Sequence, residues 1–410
     1  MQTQSYQQIQ EDMAFDKELN ILRNDFYYQY EDASAMMLVD FMYKPLDTLS
    51  GDAYSARRVG DHKSFYMVVD GMGKGISASL TTMIFTSYVN HIVDTMVQKG
   101  SFCIVEVVKD AIEFIKPILL EEETLCVDFV CFDMNHSIIE YAKFSMPPFL
   151  LQQNSTREVL KIASNNTPIS KWHGDVQVDS YDISDIEKFL FYSDGIVENS
   201  TQDGKCYAEY IAKDFQTSFT REEFKEKMNE KHAQQEDDYS LVFLNTLYPK
   251  TMQTVAKKTY ATTLESVTQA VEWYGELWEG LSDDIPLGVK ATLVFNELIL
   301  NAYEHGNLEV DSQAKHAMLD DDTFFETMQE KEKSCSKKIF VDVYKIIHFD
   351  SHYVLTTIED EGDGFDTQLL TTIFRKSKNF NGRGVFLSRK NSMGIYYNQK
   401  GNKVLFLNKL

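Results

Sequence analysis

Two short apolar runs of this chain end in the same way, at an aspartate followed by a glycine. The run Phe65–Val69 leads into Asp70-Gly71, and the run Lys188–Tyr192 leads into Ser193-Asp194-Gly195. Short apolar runs bounded by turn residues are typical of buried β-strands. The pattern therefore predicts two strands that each carry a carboxylate at their end, with a glycine beside it that leaves the backbone accessible.

Helical and strand-like segments interleave around these two strands without a regular β-α-β order. Ser77–Val97 and Phe102–Leu120 have helical periodicity, whereas Leu125–Asp133 and Ser137–Phe144 flank an Asn-His turn and are predicted to form a hairpin. This irregular order predicts an α+β sandwich rather than a doubly wound parallel sheet.

The length of 410 residues predicts two domains and a short extension. We expect a helical extension at 1–30, a first domain at 31–248 and a second domain at 249–410, with the break near Tyr248-Pro249-Lys250. A highly charged stretch at about 311–338 is interpreted as an insertion in the second domain, either a helical hairpin or a mobile loop.

The N-terminal extension carries an apolar seam along one face of a predicted helix. The residues of the seam are Phe15, Leu19, Leu22 and Phe26. The seam is too short to hold a coiled coil by itself. Three alternatives stay open: the helix packs on the domain that follows, it contributes to a homodimer, or it is the end of a signalling linker.

The charge and the apolar pattern exclude several classes of protein. A formal net charge of −23 argues against nucleic-acid binding, because phosphate backbones attract Lys and Arg surfaces. No apolar run approaches the ~20 residues needed to cross a bilayer, and the first residues lack the basic and apolar regions of a secretory signal. The five cysteines show no metal or redox spacing. We expect a cytoplasmic protein with reduced thiols and no membrane span.

Four aspartates occupy turn positions next to apolar runs. They are Asp52, Asp70, Asp194 and Asp237. A single Asp-Gly pair usually marks only a turn, so the interpretation depends on all four together. Hard divalent cations prefer carboxylate, carbonyl and water oxygens, and two ions ~4 Å apart can activate a shared water and hold a phosphoryl oxygen. The set predicts a divalent metal site.

The motifs that hold these aspartates resemble one family. In chain order, SGD, VDGMGKGISASL, FYSDGIVENS and DDYSLVFL resemble the SpoIIE-like branch of the metal-dependent, type-2C serine/threonine protein phosphatases. The resemblance covers about 40–247 and implies an α/β/β/α sandwich with two Mn²⁺ or Mg²⁺ ions. By motif, Asp70 would bridge both ions, the Gly71 carbonyl would bind one, and Asp194 and Asp237 would bind the other.

Three details of this resemblance stay open. Asp52 would support the site through a water or a third ion. The last ligand is either Asp237 or its neighbour Asp238, with Asp237 preferred, and Glu198 is either part of the site or a surface residue. The chain also departs from many relatives after the central hairpin, where FSMPP stands in place of an Ala-Gly-His-x-Pro-like turn. The departure leaves the metal ligands untouched but puts a substrate-contact role of this loop in doubt.

The second predicted domain contains three polar residues at every fourth position of a helical stretch. These are Glu297, Asn301 and His305, which share one helix face. A carboxylate and an amide one turn apart suit a site where one group handles a proton and the other holds a metal-bound phosphate, but a solvent-facing polar stripe explains the spacing equally well.

Two glycine-rich turns follow this helix. The first holds Asp360, Gly362 and Gly364 after a predicted strand, and the second holds Gly382 and Gly384 before a predicted helix. Such turns let the backbone approach a ligand closely and present N–H groups to phosphates.

In this order the three elements resemble the Bergerat-type (histidine-kinase-like) ATP-binding fold, an α/β two-layer domain. NELILNAYEHGN looks closer to the anti-sigma-factor serine kinases, and the match covers about 262–410. The resemblance implies that Asn301 coordinates Mg²⁺ on the ATP phosphates and Asp360 reads the adenine amino group. Gly362, Gly364, Gly382 and Gly384 would shape the pocket and lid. Glu297 would be the base for a substrate serine, and His305 is either part of the site or structural.

Together the two resemblances imply a regulator of bacterial partner switching. The phosphatase would dephosphorylate a phosphoserine on a partner protein such as an anti-sigma factor antagonist, and the second domain would phosphorylate the same partner. One alternative is a silent ATP-binding module that only binds nucleotide or partner. Another is a histidine-kinase-like enzyme, but no phospho-accepting histidine helix precedes the domain.

Overall fold

The computed structural model describes residues 6–29, 35–73, 75–371 and 383–410. The chain forms two compact units, which are treated separately below. Unit 1 consists of Met1–Phe26 and Val39–Thr246, and unit 2 consists of Tyr27–Leu38 and Leu247–Leu410. The architecture is mixed α+β in both units.

Two sheets are formed by the strands that precede residue 248. These strands are β1 (Arg23–Asn24), β2 (Tyr28–Gln29), β3 (Met36–Lys44), β4 (Asp52–Gly60), β5 (Lys63–Gly71), β6 (Thr124–Asp133), β7 (Ile138–Phe144), β8 (Phe149–Gln153), β9 (Val159–Ile162), β10 (Ile169–Ser170), β11 (Asp179–Asp182), β12 (Ile186–Tyr192) and β13 (Tyr239–Leu247). One sheet has the order β1-β4-β5-β6-β7-β11, with β10 paired to β6. The other has the order β2-β3-β13-β12-β8-β9.

Aromatic side chains from both sheets meet in the interior of unit 1. Tyr66 and Phe132 of the first sheet lie with ring centroids 5.4 Å apart, and Phe132 meets Phe189 of the second sheet at 4.9 Å. Phe191 packs on the Tyr66 ring at 6.3 Å. Because alternate strand residues point to opposite faces, these rings define the inner faces of a two-sheet sandwich.

Helices cover the outer faces of this sandwich. The helices of unit 1 are α1 (Tyr6–Ile21), α2 (Ile76–Gln98), α3 (Ile104–Ile115), α4 (Gly195–Glu198), α5 (Ile211–Thr217) and α6 (Arg221–Lys231). α2 and α3 pack on strands of the first sheet. Phe215, Phe224 and Met228 of α5 and α6 share a buried cluster with Leu190 and Phe243 of the second sheet. The layers of unit 1 are therefore helix, sheet, sheet, helix.

The N-terminal helix α1 belongs to unit 1 but carries only Phe15 and Leu19 of the predicted seam, because the helix ends at Ile21 and strand β1 begins at Arg23. Leu19, Leu22 and Phe26 are buried, and Phe15 is half-buried. The Asn90 side-chain amide of α2 donates a hydrogen bond to the Ile21 carbonyl at 2.9 Å. Of the three alternatives, packing on the domain that follows is the one for which the described residues supply contacts.

Unit 2 contains a five-stranded sheet and the remaining helices. The strands are β14 (Gln253–Ala261), β15 (Lys338–His348), β16 (Ser351–Asp360), β17 (Gly394–Tyr397) and β18 (Lys403–Lys409), in the sheet order β14-β15-β16-β18-β17. The helices are α7 (Leu264–Leu281), α8 (Ile285–Asn301), α9 (Ser312–Asp320), α10 (Phe324–Ser334) and α11 (Arg383–Lys390). A π-helical turn, Ala302–Asn307, continues α8.

Local sequence explains where the two long helices of unit 2 begin. The Thr263 hydroxyl accepts the N–H of Ser266 at the start of α7, and the Asp284 carboxylate accepts the N–H of Leu287 at the start of α8. Tyr274 then joins the layers, because its ring stacks on Phe295 at 4.1 Å and its hydroxyl is hydrogen-bonded to Thr356 of β16 at 2.8 Å.

The charged stretch after α8 contains two helices, α9 and α10. Glu332 of α10 accepts hydrogen bonds from the Tyr303 hydroxyl at 2.6 Å and from the Leu264 N–H at 2.7 Å. Lys315 of α9 forms an ion pair with Glu304. The side chains of this stretch therefore tie it to α7 and to the π-helical turn.

One helical stretch in the described ranges, Ile285–Asn307, is long and apolar enough to cross a membrane by length and composition alone. The buried core helix of a globular domain passes the same test, so this is weak support for a membrane span.

Candidate functional site

The four predicted aspartates come from strand ends of both sheets in unit 1. Asp52 is the first residue of β4 and lies directly opposite Asp70, near the end of β5. Asp194 follows β12, and Asp237 precedes the neighbouring strand β13. The β12–β13 pairing brings these two ends together, since Tyr192 pairs with Leu241. The pairing of the strands therefore brings the aspartates together as two pairs, Asp52 with Asp70 and Asp194 with Asp237.

Aspartates of both pairs act electrostatically on Asp70. Burial is the largest cause that raises the pKa of Asp70 to about 11. The charge of Asp52, the charge and hydrogen bond of Asp194, and the charge of Asp237 raise it further. Like charges within a few ångströms disfavour ionisation. All three other predicted aspartates therefore lie within electrostatic range of Asp70.

Asp52 is buried and is held by Ser193. Burial raises the pKa of Asp52 to about 8. The Ser193 hydroxyl donates a hydrogen bond to the Asp52 carboxylate at 2.6 Å and lowers this pKa, whereas the charges of Asp238 and Asp194 raise it. Ser193 therefore joins Asp52 of the first sheet to the strand end that carries Asp194.

The donor chemistry of this cluster fits hard divalent cations. Buried carboxylates that raise one another's pKa are stabilised when a cation neutralises them, and carboxylate oxygens are the ligands that Mg²⁺ and Mn²⁺ prefer. Within the described ranges, no three His, Cys, Asp or Glu side chains are already spaced as a ligand set for a metal. The fit is therefore one of charge and donor type.

The glycines that follow Asp70 and Asp194 are required by packing. A Cβ atom on Gly195 would overlap the Asp238 carbonyl oxygen, and one on Gly71 would lie 2.6 Å from the Thr82 hydroxyl. The Gly71 N–H donates to the Gly51 carbonyl at 2.9 Å. The Asp-Gly pairs thus allow close approach between strand ends, which spacing in the sequence cannot reveal.

Asp237 and Asp238 have different surroundings. The two carboxylate oxygens of Asp238 accept the N–H groups of Leu46 and Gly51, at 2.6 and 2.7 Å, and the side chain is buried. Asp237 is half-buried, and its carboxylate accepts the N–H of Asp238 at 2.9 Å. Asp238 therefore holds the loop before Asp52. Glu198 is exposed at the end of α4.

A buried ion pair near the aspartates was not predicted. The Lys143 ammonium donates to both carboxylate oxygens of Asp128, at 2.9 and 3.1 Å, and both side chains are buried. Lys143 lies just before the FSMPP loop, whose sequence differs from the turn found in many relatives. In this loop Ser145 has a φ of 53°. The left-handed backbone that a glycine usually supplies is thus adopted by serine here. The only sequence signal was a lysine within an apolar strand.

In unit 2, Asp360 lies at the end of β16 against two glycines. Its carboxylate accepts the Gly362 N–H at 2.8 Å. A Cβ on Gly306 would lie 2.5 Å from a carboxylate oxygen of Asp360, and one on Gly362 would overlap the Gly306 carbonyl. Burial is the main cause that raises the pKa of Asp360 to about 6, while the Gly362 N–H, Lys400 and Lys337 lower it.

The remaining predicted residues of unit 2 lie around α8. Burial raises the pKa of Glu297. Burial is also the largest cause that raises the pKa of Tyr397, and the charges of Glu297 and Asp360 raise it further. A Cβ on Gly384 of α11 would overlap the Glu297 carboxylate, so this backbone lies directly on it. Asn301 is half-buried one turn further along. These contacts bring Glu297, Asp360 and Gly384 into one neighbourhood.

The other predicted residues of unit 2 are Gly364, His305 and Gly382. Gly364 has a φ of 78°, so its turn requires the conformational freedom of glycine. His305 is exposed, and its Nδ1 is hydrogen-bonded to the Val310 carbonyl, which is a structural contact. Gly382 lies outside the described residues.

Asn307 is a polar residue of unit 2 that sequence reasoning missed. Its buried amide donates to the Thr262 hydroxyl at 2.8 Å and to the Lys338 carbonyl at 3.0 Å, and it accepts the Glu361 N–H at 2.8 Å. It therefore fixes the turn that follows Asp360. The sequence signal was its place at the end of the His-Gly-Asn run.

Most of unit 1 matches the model of one known protein family. Residues 60–247 match the family model of stage II sporulation protein E (SpoIIE). This part of the chain is similar to the SpoIIE-type, PP2C-like phosphatase domains. The matched region includes Asp70, Gly71, Asp194 and Asp237 but begins after Asp52.

Among individual relatives, the chain is similar to the phosphoserine phosphatase RsbP of Bacillus subtilis (strain 168). The two are 25% identical over 182 residues, which is 43% of this chain and 43% of RsbP. The match thus spans less than half of that curated relative.

Two solved structures are also similar. The SiaA-PP2C domain of Pseudomonas aeruginosa has 17% identity and a TM-score of 0.47, with 58% of this chain and 96% of that chain covered. The RsbU and RsbW domains of a Mycobacterium tuberculosis protein have 14% identity and a TM-score of 0.45, with 92% and 94% covered. Likeness at this level is too distant to decide fold or activity.

Proposed function

We propose that the region 31–248 is a metal-dependent protein serine/threonine phosphatase that acts in the cytoplasm. Its substrate would be a phosphoserine on a regulatory partner protein, such as an anti-sigma factor antagonist, in a partner-switching system. The observation that carries the proposal is the strand pairing that places Asp52 opposite Asp70 and brings the strand ends of Asp194 and Asp237 together, with the Ser193 hydroxyl joined to Asp52 at 2.6 Å. The SpoIIE match over 60–247 and the similarity to a phosphoserine phosphatase support the same activity.

Each acidic residue has a distinct role in this proposal. Two Mn²⁺ or Mg²⁺ ions would, when bound, activate a water for in-line attack and neutralise the phosphate. Asp70 would hold both ions and the Gly71 carbonyl one of them, while Asp194 and Asp237 would hold the other. Asp52 would orient water at the site, itself oriented by the Ser193 hydroxyl at 2.6 Å.

Asp237, not Asp238, is the ligand in this proposal. Asp238 already accepts two backbone N–H groups, from Leu46 and Gly51. Taking those oxygens away would leave two N–H donors of the loop without partners, which costs about 1–3 kcal/mol each when buried. The charge of Asp237 acts on Asp70, and its carboxylate accepts the N–H of Asp238 at 2.9 Å.

Hydrolysis of p-nitrophenyl phosphate with Mn²⁺ tests the phosphatase. Wild-type protein should turn it over, and Asp70→Ala should abolish turnover. Asp110→Asn, which changes an exposed carboxylate of α3, is the matched control and should leave the rate unchanged. Turnover that persists in the Asp70→Ala variant would refute the proposal.

For the region 249–410 we propose an ATP-binding domain of the Bergerat type. Asp360 would accept the adenine amino group, Asn301 would hold Mg²⁺ on the phosphates, and Gly362, Gly364, Gly382 and Gly384 would shape pocket and lid. If the domain is a kinase, Glu297 is the base. The shared influence of Glu297 and Asp360 on the pKa of Tyr397 supports a common pocket.

One contact favours a silent nucleotide-binding module instead. The Gly384 backbone lies directly on the Glu297 carboxylate, where a substrate hydroxyl would have to approach. Calorimetry with ATP and labelling with γ-³²P-ATP plus a candidate partner separate the alternatives. Incorporation that is lost in Glu297→Ala indicates a kinase, whereas ATP binding that needs Asp360 without incorporation indicates a module. Absence of ATP binding to the wild-type protein would contradict both.

A further inference from the structure

The Ser50-Gly51-Asp52 segment, called here the SGD segment, is where the parts of the acidic centre are tied together. The Gly51 N–H donates to Asp238 at 2.7 Å. The Gly51 carbonyl accepts the Gly71 N–H at 2.9 Å and the Thr82 hydroxyl at 2.6 Å. One residue, Gly51, thus connects the residue next to Asp70 with the segment that contains Asp237 and Asp238.

A glutamate of the N-terminal helix completes this arrangement. Glu18 of α1 is only 2% exposed. Its Oε1 accepts the Ser50 N–H at 2.9 Å and the Tyr43 hydroxyl at 2.5 Å. Burial of a carboxylate costs free energy unless hydrogen bonds compensate for lost water, and hydrogen bonds to an ionised acceptor are stronger than neutral ones. One of these donors is the first residue of the SGD segment, Ser50, and the other is Tyr43 of the preceding strand β3.

The consequence for Asp52 and Gly71 follows from chain connectivity. Ser50 is two residues before Asp52, and Gly51 between them carries the bonds to Asp238 and Gly71. A shift of the Ser50 backbone would therefore move Asp52 and loosen the Gly71 N–H contact. Residues that orient metal ligands through such contacts typically change metal affinity by about 10–100-fold when removed.

We propose that Glu18 is a positioning residue of the metal centre, contributed by the N-terminal helix, which sets the SGD segment and through it Asp52 and Gly71. This inference rests on the proposed metal-dependent phosphatase. Glu18 touches neither substrate nor metal. Its effect should be on metal affinity, with little change in the rate at saturating metal.

The inference concerns a contact that spacing in the sequence could not identify. The predicted apolar seam of α1 includes the neighbouring Leu19, whereas Glu18 stands beside it as one acidic residue among many. α1 is further fixed by the Asn90 amide on the Ile21 carbonyl. The buried Leu19 and this hydrogen bond therefore anchor the helix, and Glu18 contacts the SGD segment.

Three full-length variants test the inference. Glu18→Ala removes the acceptor, Glu18→Gln retains an oxygen acceptor at the same place, and Asp16→Asn changes an exposed carboxylate of the same helix. Mn²⁺ binding is measured by calorimetry, and p-nitrophenyl phosphate turnover is measured as a function of Mn²⁺. We expect Glu18→Ala to bind Mn²⁺ about tenfold more weakly, with turnover recovered at high Mn²⁺. Glu18→Gln should be close to wild type, and Asp16→Asn unchanged.

A second measurement needs no metal. Amide hydrogen exchange of residues 46–52 in the metal-free protein should speed up in Glu18→Ala and not in Asp16→Asn, because the Ser50 N–H loses its acceptor. If Glu18→Ala fails to fold, Tyr43→Phe serves instead, since it removes one bond to Glu18 and should give a smaller shift in the same direction.

The outcomes separate this inference from the proposed function. Wild-type Mn²⁺ affinity and unchanged exchange in Glu18→Ala would overturn the positioning role. An equal loss of turnover at all Mn²⁺ concentrations would also overturn it, because that points to general destabilisation. If the wild-type protein neither binds Mn²⁺ nor hydrolyses the ester, the phosphatase proposal fails, while the exchange result still decides whether Glu18 holds the SGD segment.

Discussion

In unit 1 neighbouring aspartates add to the effect of burial and raise the pKa of Asp52 and of Asp70, whereas in unit 2 burial, with a smaller contribution from Glu359, raises the pKa of Asp360 and nearby lysines lower it. The charges of three other aspartates raise the pKa of Asp70, whereas Lys400, Lys337 and the Gly362 N–H lower the pKa of Asp360. The first arrangement is stabilised by added positive charge, and the second already has positive charge around it. The contrast suggests that unit 1 is built for cations and that Asp360 is built to accept a hydrogen bond.

The two units also share a design principle. In each, a buried polar side chain holds the backbone next to the functional aspartate. Glu18 and Asp238 hold the segment before Asp52, and Asn307 holds the turn after Asp360. Both sites therefore depend on residues that would make no contact with a ligand.

The largest expected effect is a loss of phosphatase activity in unit 1 when the charge of Asp70 is removed. Asp70→Asn removes one of the mutually repelling carboxylates, so the metal-free protein should unfold at the same or a higher temperature than wild type. Phosphatase activity should nevertheless fall by more than about a hundredfold, the upper range for loss of an outer-shell partner. Calorimetry with and without Mn²⁺ checks the pair of effects, and Mn²⁺ should stabilise only the wild type. A large metal-free destabilisation would show that Asp70 is mainly structural.

The next effect distinguishes the neighbouring aspartates. Asp237→Asn should abolish most Mn²⁺-dependent turnover with little change in the free energy of unfolding. Asp238→Asn should lower that free energy by about 1–3 kcal/mol, because an amide nitrogen replaces one acceptor of two backbone N–H groups. Urea unfolding and Mn²⁺ titration of both variants provide the measurement. If Asp238→Asn loses turnover and Asp237→Asn loses stability instead, Asp238 is the ligand.

Replacing Asp360 should change how the free energy of unfolding depends on pH. The folded protein binds this proton up to about pH 6, compared with an ordinary pKa of 3.8. The group therefore favours folding below pH 4, and its stabilisation is lost as the pH rises toward 6. Asp360→Asn should gain stability over wild type by at most about 3 kcal/mol more at pH 7.5 than at pH 4. Urea unfolding at both pH values measures it, and a pH-independent difference would argue against a buried, charged Asp360.

The smallest effect concerns the turn after Asp360. Asn307→Ala removes three hydrogen bonds and should lower the free energy of unfolding by about 2 kcal/mol, and ATP should bind more weakly. Gln269→Ala, at an exposed position of α7, is the control and should change neither quantity. Equal effects of the two substitutions on ATP binding would remove Asn307 from the description of the site.

Much of the local structure was predictable because its signals are local. α2 spans Ile76–Gln98, within one residue of the predicted Ser77–Val97, and the hairpin of β6 and β7 turns at the predicted Asn-His pair. Both depend on side-chain period and turn residues within one segment. α3 was predicted too long: Phe102–Leu120 contains only the helix Ile104–Ile115, because periodicity marks an apolar face more reliably than helix ends.

By itself, the order of residues determined which strand ends carry carboxylates, which glycines stand beside them, and hence that a cation-binding centre in unit 1 is chemically reasonable. Only the tertiary structure decided that Asp52 faces Asp70, that Asp238 is occupied by backbone N–H groups, and that Glu18 reaches Ser50. The physical reason is the separation along the chain over which each kind of interaction acts. Backbone periodicity and turn chemistry act over a few residues, whereas sheet register and buried hydrogen bonds join residues that are far apart in the chain and become neighbours only on folding.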